Sequence, residues 1–206
     1  AALDMMIMNA ALFVIIALLG RAEPLAVAAH GIGMRLQSVA FVPGLSIAQA
    51  TGALVGQSLG GGNIPRVREV VRASAWLAAG ILSALGVLIV VFASPLIALF
   101  GAHPGTVLGE LTYEWMVLLA LGMPLVGAHF AFVGLFQGSG ATNTGLVINA
   151  LTVFFFQIPL SLLLGPVLGW GPLGIWIAFP ASYGMKLLLE LVAYRRGRWA
   201  KVGVHA

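Results

Sequence analysis

The chain has 206 residues, of which 61% are hydrophobic and 8% charged, with ten Lys and Arg against six Asp and Glu for a net charge of +4. A soluble domain carries about 25% charged residues, so a water-facing surface cannot be built from this composition and the chain reads as an all-α integral membrane protein. Cysteine is absent, which excludes disulfides and thiolate metal sites.

A spanning helix needs about 20 mostly apolar residues, and six such spans follow in order. The first runs over Leu3–Leu19 and ends at the polar turn Gly20–Pro24. The chain begins in this apolar run with Ala rather than Met and shows no signal peptide. It reads as a fragment of something longer, with a natural half-size protein as the alternative. Span 2, Ala26–Leu59, would be about 50 Å long at 1.5 Å per residue, beyond the roughly 30 Å hydrocarbon core. It must kink, tilt or project, and Pro43-Gly44 is the expected bend. Span 3 covers Val67–Ala93. Ser94–Pro104 leaves the membrane, with Leu96–Phe100 in the interface. Spans 4, 5 and 6 cover Glu110–Phe136, Thr144–Leu164 and Leu173–Tyr194, with Pro124 a further kink. The runs are continuous rather than alternating, which argues against a β-barrel.

The turn between spans 2 and 3, LVGQSLGGGNIPRVREVVR, is the most polar stretch of the chain. It lacks the Lys of a phosphate-binding loop and the strand that precedes a dinucleotide fingerprint. It reads instead as a helix-to-helix turn. Gly60-Gly61-Gly62 ends one helix, Asn63 caps the next and Pro65 sits in its first turn. Gly52, Gly56 and Gly60 recur every four residues, a stripe that lets another helix approach closely. The turn Phe136–Asn143 has a similar Gln, Gly/Ser, Asn order, compatible with a duplicated helix pair. Arg66, Arg68, Arg72, Arg195, Arg196, Arg198 and Lys201 all fall on one side of a six-span arrangement. By the positive-inside rule that side is cytoplasmic, so both ends of the segment face the cytoplasm across a plasma (inner) membrane. The same charges read as topology, and no nucleic-acid partner is expected.

Ionisable groups at membrane depth are functional candidates because an unpaired charge there is costly. Asp4 opens span 1, as a coupling carboxylate or an interfacial residue. Asn9 lies deeper, as a substrate contact or a helix-to-helix hydrogen bond. Arg35, with Gln37 and Ser38 nearby, reads either as a side chain snorkelling to the outer interface or as a gate or ion-pair partner in a cleft. His30 is expected at the outer interface in a structural role. Glu110 and Glu114 share one face, with Tyr113 and Trp115 as an interfacial belt, and Glu114 is the deeper candidate for a cation path. His129 lies well inside span 4, as a proton relay or a packed histidine. Lys186 and Glu190, four apart, are expected to pair with each other near the cytoplasmic end. There is no Ser/His/Asp or metal constellation, so no enzyme is expected, and no metal or other cofactor.

The run Ala26–Asn63 resembles the start of the second lobe of the multidrug and toxic compound extrusion (MATE) family. Three features carry it: Ala28-Ala29-His30, Phe41-Val42-Pro43-Gly44, and Val55-Gly56-Gln57 with Gly60 before the glycine-rich turn. GLFQGSGATNT, with Gly138 and Gly140, resembles that family's second cytoplasmic turn, although Gln137 stands where an Arg is usual and Ala141 near a usual Asp. The resemblance implies spans 7 to 12 of a twelve-helix, pseudo-symmetric antiporter that exports drugs or organic cations against H+ or Na+ by alternating access. It implies as partners the lipid bilayer, a small-molecule substrate, and a missing N-terminal lobe or a second copy. In one branch of the family, coupling acids fall near Met8 or Asn9 and near Val126. None of these is acidic here, which places the coupling acid in the other lobe. A flippase for lipid-linked saccharides and a non-transporting membrane scaffold are the alternatives.

Overall fold

The computed structural model describes the backbone of residues 2–202 and the side chains of residues 6–200. Among them there is no strand. The helices are α1 (Ala2–Ala22), α2 (Pro24–Gly60), α3 (Ile64–Val91), α4 (Ala93–Leu99), α5 (Val107–Gly138), α6 (Thr142–Val167), α7 (Gly171–Arg196) and α8 (Trp199–Val202). Five of them, α2, α3, α5, α6 and α7, are long and apolar enough to cross a membrane. In α1 the described apolar stretch is Met6–Ala22. The six long helices follow the six expected spans in order.

Local chemistry sets the helix ends. A single residue separates α1 from α2, and Glu23 caps α2 by accepting a bond from the Leu25 N–H at 3.3 Å. At the glycine turn, Gly62 takes a left-handed φ of +69°, which costs glycine little. The Asn63 side chain then accepts from the Arg66 N–H at 3.0 Å, as the sequence predicts, and Pro65 lies in the first turn of α3. Helical backbone continues through Pro43, so α2 stays one element of 37 residues. Helix α6 widens twice, at Val153–Gln157 and Leu163–Val167, where the bonding skips one residue further back. Pro159 and Pro166 lie in or beside these turns and each removes an N–H from the ordinary ladder.

Helix α5 is the hub, packed against α2, α3 and α7. Small residues make this possible. A methyl group on Gly44 would overlap the Phe130 ring, and one on Gly33 the Trp115 ring. Gly52 and Gly56 lie against the backbone of Gly134 and Gly138, where a Cβ would stand 3.4 Å from a carbonyl oxygen in both cases. The third residue of the expected stripe, Gly60, has nothing within 4 Å and takes no part in the seam. Helix α4 takes in Leu96–Leu99 of the segment expected in the interface, and Phe100 follows it. Ala93 and Ile97 are buried with Ile32 and Met116, while Leu99 is exposed.

Trp115 departs from expectation. It is fully buried rather than part of an interfacial belt, stacked on Trp176 with ring centroids 5.5 Å apart, and only Tyr113 of the expected pair is exposed. His30 is also buried in the bundle. Its ring lies 5.0 Å from Trp115 and 5.7 Å from Phe179.

Candidate functional site

Three described ionisable groups, His129, Lys186 and Glu190, come together where α5, α6 and α7 meet. Nδ1 of His129 on α5 lies 2.7 Å from Oε1 of Glu190 on α7. Only 2% of the Glu190 side chain is exposed, against 18% for His129. The second oxygen of Glu190, Oε2, is buried and makes no hydrogen bond among the described residues. Glu190 lies about 9 Å along the axis from the end of α7, and His129 about 14 Å from the end of α5. The pair therefore sits inside the apolar part of the bundle, near the end that carries Arg195 and Arg196. An ionised carboxylate there is stabilised by the imidazole N–H it accepts from. A protonated carboxyl would instead donate to a bare ring nitrogen. The short contact suits either arrangement, but only the ionised one is charge-assisted, so protonation weakens it.

A second polar contact is one turn away. The Lys186 ammonium donates to Oδ1 of Asn149 on α6 at 2.8 Å and lies 5.2 Å from the Tyr183 ring centroid. The Tyr183 ring in turn lies 6.1 Å from that of His129. Deeper in α7, the Ser182 hydroxyl donates to the Phe179 carbonyl at 2.7 Å and lies 3.5 Å from Oε1 of Gln157, within the first wide turn of α6. This corrects the expected pairing of Lys186 with Glu190. The two residues do share a face of α7, but a face as broad as that touches two helices. Lys186 turns to α6 and Glu190 to α5.

Among the described residues, no hydrogen bond or ion pair joins any other predicted site residue to this cluster. Asp4 falls outside the described side chains. Asn9 is exposed on α1. Arg35 is exposed, with its guanidinium 5.8 Å from the Phe100 ring centroid just after α4. Glu110 and Glu114 are both exposed on α5, and Gln57 is exposed at the end of α2. Gln37, by contrast, is buried and lines a narrow apolar crevice between α2, α5 and α7. Val126, also in that crevice, is buried. Gly140 takes a φ of +73° in the turn before α6. Sequence reasoning finds His129 and Glu190 separately. It misses that they are partners across 61 residues, and it overlooks Asn149 and Gln157. The only available signal for those two is that each is a polar residue inside an otherwise apolar span.

A protein-family model described as MatE matches residues 1–163. The chain belongs to the MatE family. It is 28% identical over 193 residues to a probable multidrug resistance protein, NorM, of Thermotoga maritima, covering 94% of this chain and 41% of that protein. Its fold is similar to that of the MATE transporter ClbM in complex with Rb+, with a TM-score of 0.87 at 23% identity over 97% of this chain and 47% of that one. An inward-facing multidrug resistance MATE family transporter aligns with a TM-score of 0.83 at 20% identity, covering all of this chain and 47% of the other. The chain thus spans less than half the length of the relatives it matches. One six-helix lobe of a MATE-type fold accounts for that share, and the chain is a multi-pass membrane protein of a transporter family.

Proposed function

We propose that this lobe is the C-terminal half of a secondary active antiporter that exports drugs or organic cations by alternating access, with a proton as the coupling ion and the His129–Glu190 pair as its binding place. The observation that carries this reading is the 2.7 Å contact between two ionisable side chains on different helices, in an otherwise apolar bundle. A coupling site must bind its ion in one arrangement of the helices and release it in the other. Protonating Glu190 removes a buried negative charge. Moving α5 against α7 changes whether the imidazole can serve the carboxylate. The proton state and the helix arrangement therefore bias one another. A proton fits better than sodium here. Sodium prefers several oxygen ligands, and Glu190 offers a single oxygen without a hydrogen-bond partner beside an imidazole nitrogen.

This reading moves coupling back into the lobe from which the missing family acids had removed it. The other lobe, or a second copy of this one, completes the cleft. The arginine-bearing end faces the cytoplasm, on the charge asymmetry of the sequence. The full-length protein reconstituted in vesicles tests the proposal with ethidium as probe. An imposed pH gradient drives ethidium accumulation in the wild type, and a sodium gradient does not. Glu190→Gln abolishes the pH-driven accumulation while ethidium-for-ethidium exchange persists. Unchanged pH-driven accumulation in Glu190→Gln and His129→Gln sinks the assignment.

A further inference from the structure

A groove of about 540 Å3 opens at the arginine-bearing end, well apart from the crevice that Gln37 lines. Its walls include Arg68, Arg72 and Trp76 from α3, Phe132 from α5, and Leu191 and Tyr194 from α7. Arg68 and Arg72 are one turn apart, so they share a face. Both are exposed, and neither forms a salt bridge among the described residues. Glu69 also lines the groove, but its carboxylate is engaged by Arg66 at 2.8 Å. One turn beyond Arg72 is Trp76, 77% exposed. The opposite wall is preformed. Tyr194 stacks on Trp199 at 5.7 Å with the rings 5° from parallel, and meets Phe132 edge-on at 5.8 Å.

The groove has a polarity gradient along α3. Two guanidiniums and a phenol stand near the helix start, and an indole and aliphatic surface lie further along. We infer that it holds an anionic phospholipid, with its phosphate against Arg68 and Arg72 and its first acyl carbons along Ala75, Trp76 and Phe132. Charge complementarity selects this occupant. Guanidinium forks match phosphate oxygens, and anionic headgroups are drawn to basic residues beside a membrane span. A free phosphate or a soluble nucleotide would leave the indole and the apolar floor uncovered. A zwitterionic lipid brings its own ammonium to compete with the arginines.

Trp76 reports on the site directly. The test uses the full-length protein in nanodiscs that contain dibrominated phosphatidylglycerol or dibrominated phosphatidylcholine in an unbrominated background. The Trp76 signal is the difference between the wild type and Trp76→Phe. Brominated phosphatidylglycerol should quench it at a mole fraction roughly twenty-five-fold lower than phosphatidylcholine, the product of about fivefold for each arginine. Arg68→Gln and Arg72→Gln should each remove about fivefold, and the double variant should erase the preference. Arg196→Gln lowers the charge equally but lies outside the groove, and should leave the preference intact. Equal quenching by both lipids overturns the inference, as does a preference that survives the double variant. Failure of either lipid to reach Trp76 also overturns it, because the groove is then filled by protein.

Discussion

Replacing Gly134 by alanine should loosen the seam between α2 and α5. A Cβ at residue 134 would stand 2.5 Å from the Ala48 carbonyl oxygen and 2.6 Å from the Thr51 Cβ. Favourable heavy-atom separations are about 3.5–4.0 Å, so the helices must part by about 1 Å. Neither neighbour can swing away. One is backbone, and the other is the first atom of a side chain whose hydroxyl is 2.7 Å from the Ile47 carbonyl oxygen and 2.8 Å from the Ser74 hydroxyl. Overpacking of this kind costs about 1–3 kcal/mol. Alanine returns about 0.5–1 kcal/mol through its better helix propensity. The central values leave a net loss of about 1 kcal/mol, or roughly 2–4 °C in Tm for a domain of this size. Thermal unfolding of the purified protein in detergent, followed by tryptophan fluorescence, reads it. Gly60→Ala is the internal control, because open space surrounds that residue and it should be neutral or slightly stabilising. A Gly134→Ala protein as stable as the wild type, or a Gly60→Ala protein equally damaged, refutes the claim that backbone proximity holds this seam.

Two further outcomes follow from the same geometry. Asn63→Ala removes the side-chain acceptor for the Arg66 N–H, which should cost about 1 kcal/mol at the start of α3 and speed amide exchange over residues 66–68 roughly fivefold. Hydrogen exchange with mass spectrometry checks it, and unchanged exchange there refutes it. His129→Leu strips Glu190 of its hydrogen-bond partner and leaves both carboxylate oxygens without one among the described residues. It should therefore be less stable than the double variant His129→Leu/Glu190→Leu, by about 1–3 kcal/mol. The order of the two unfolding temperatures decides, and a double variant no more stable than the single one contradicts a buried pair.

Features that depend on neighbours along the chain were legible in the sequence. Asn63, Pro65 and the glycines before them specify a helix end and a helix start through bonds that span a few residues. The structure makes those bonds, because no distant packing competes with them. The six apolar runs are legible for a similar reason, since each satisfies its own backbone internally, as any lipid-exposed segment must. Trp115 was not legible. Its neighbours Tyr113 and Glu114 are exposed, and one residue further round α5 the side chain points at Gly33, a position with room for an indole only because it lacks a Cβ. That complementarity links residues 82 apart, and no local pattern encodes it.

The Lys186 and Glu190 pairing failed for a related reason, and the failure has a mechanical consequence. A spacing of four places two side chains on one face of an isolated helix, where opposite charges find each other by default. In the bundle, that face of α7 lies over the boundary between α5 and α6. Each charged group gains more from a partner on the helix it meets than from its neighbour one turn away, because a cross-helix bond also satisfies a polar group that the partner helix would otherwise bury. Lys186 thereby ties α7 to α6 through Asn149, and Glu190 ties α7 to α5 through His129. The two tethers lie one turn apart on one rod. Any slide of α5 relative to α6 must stretch one of them or turn α7. Removing the Glu190 charge weakens only the α5 tether. On the proton coupling proposed above, uptake at that carboxyl would loosen α5 while α6 and α7 stay joined, which is the asymmetry a proton-driven rearrangement within one lobe needs.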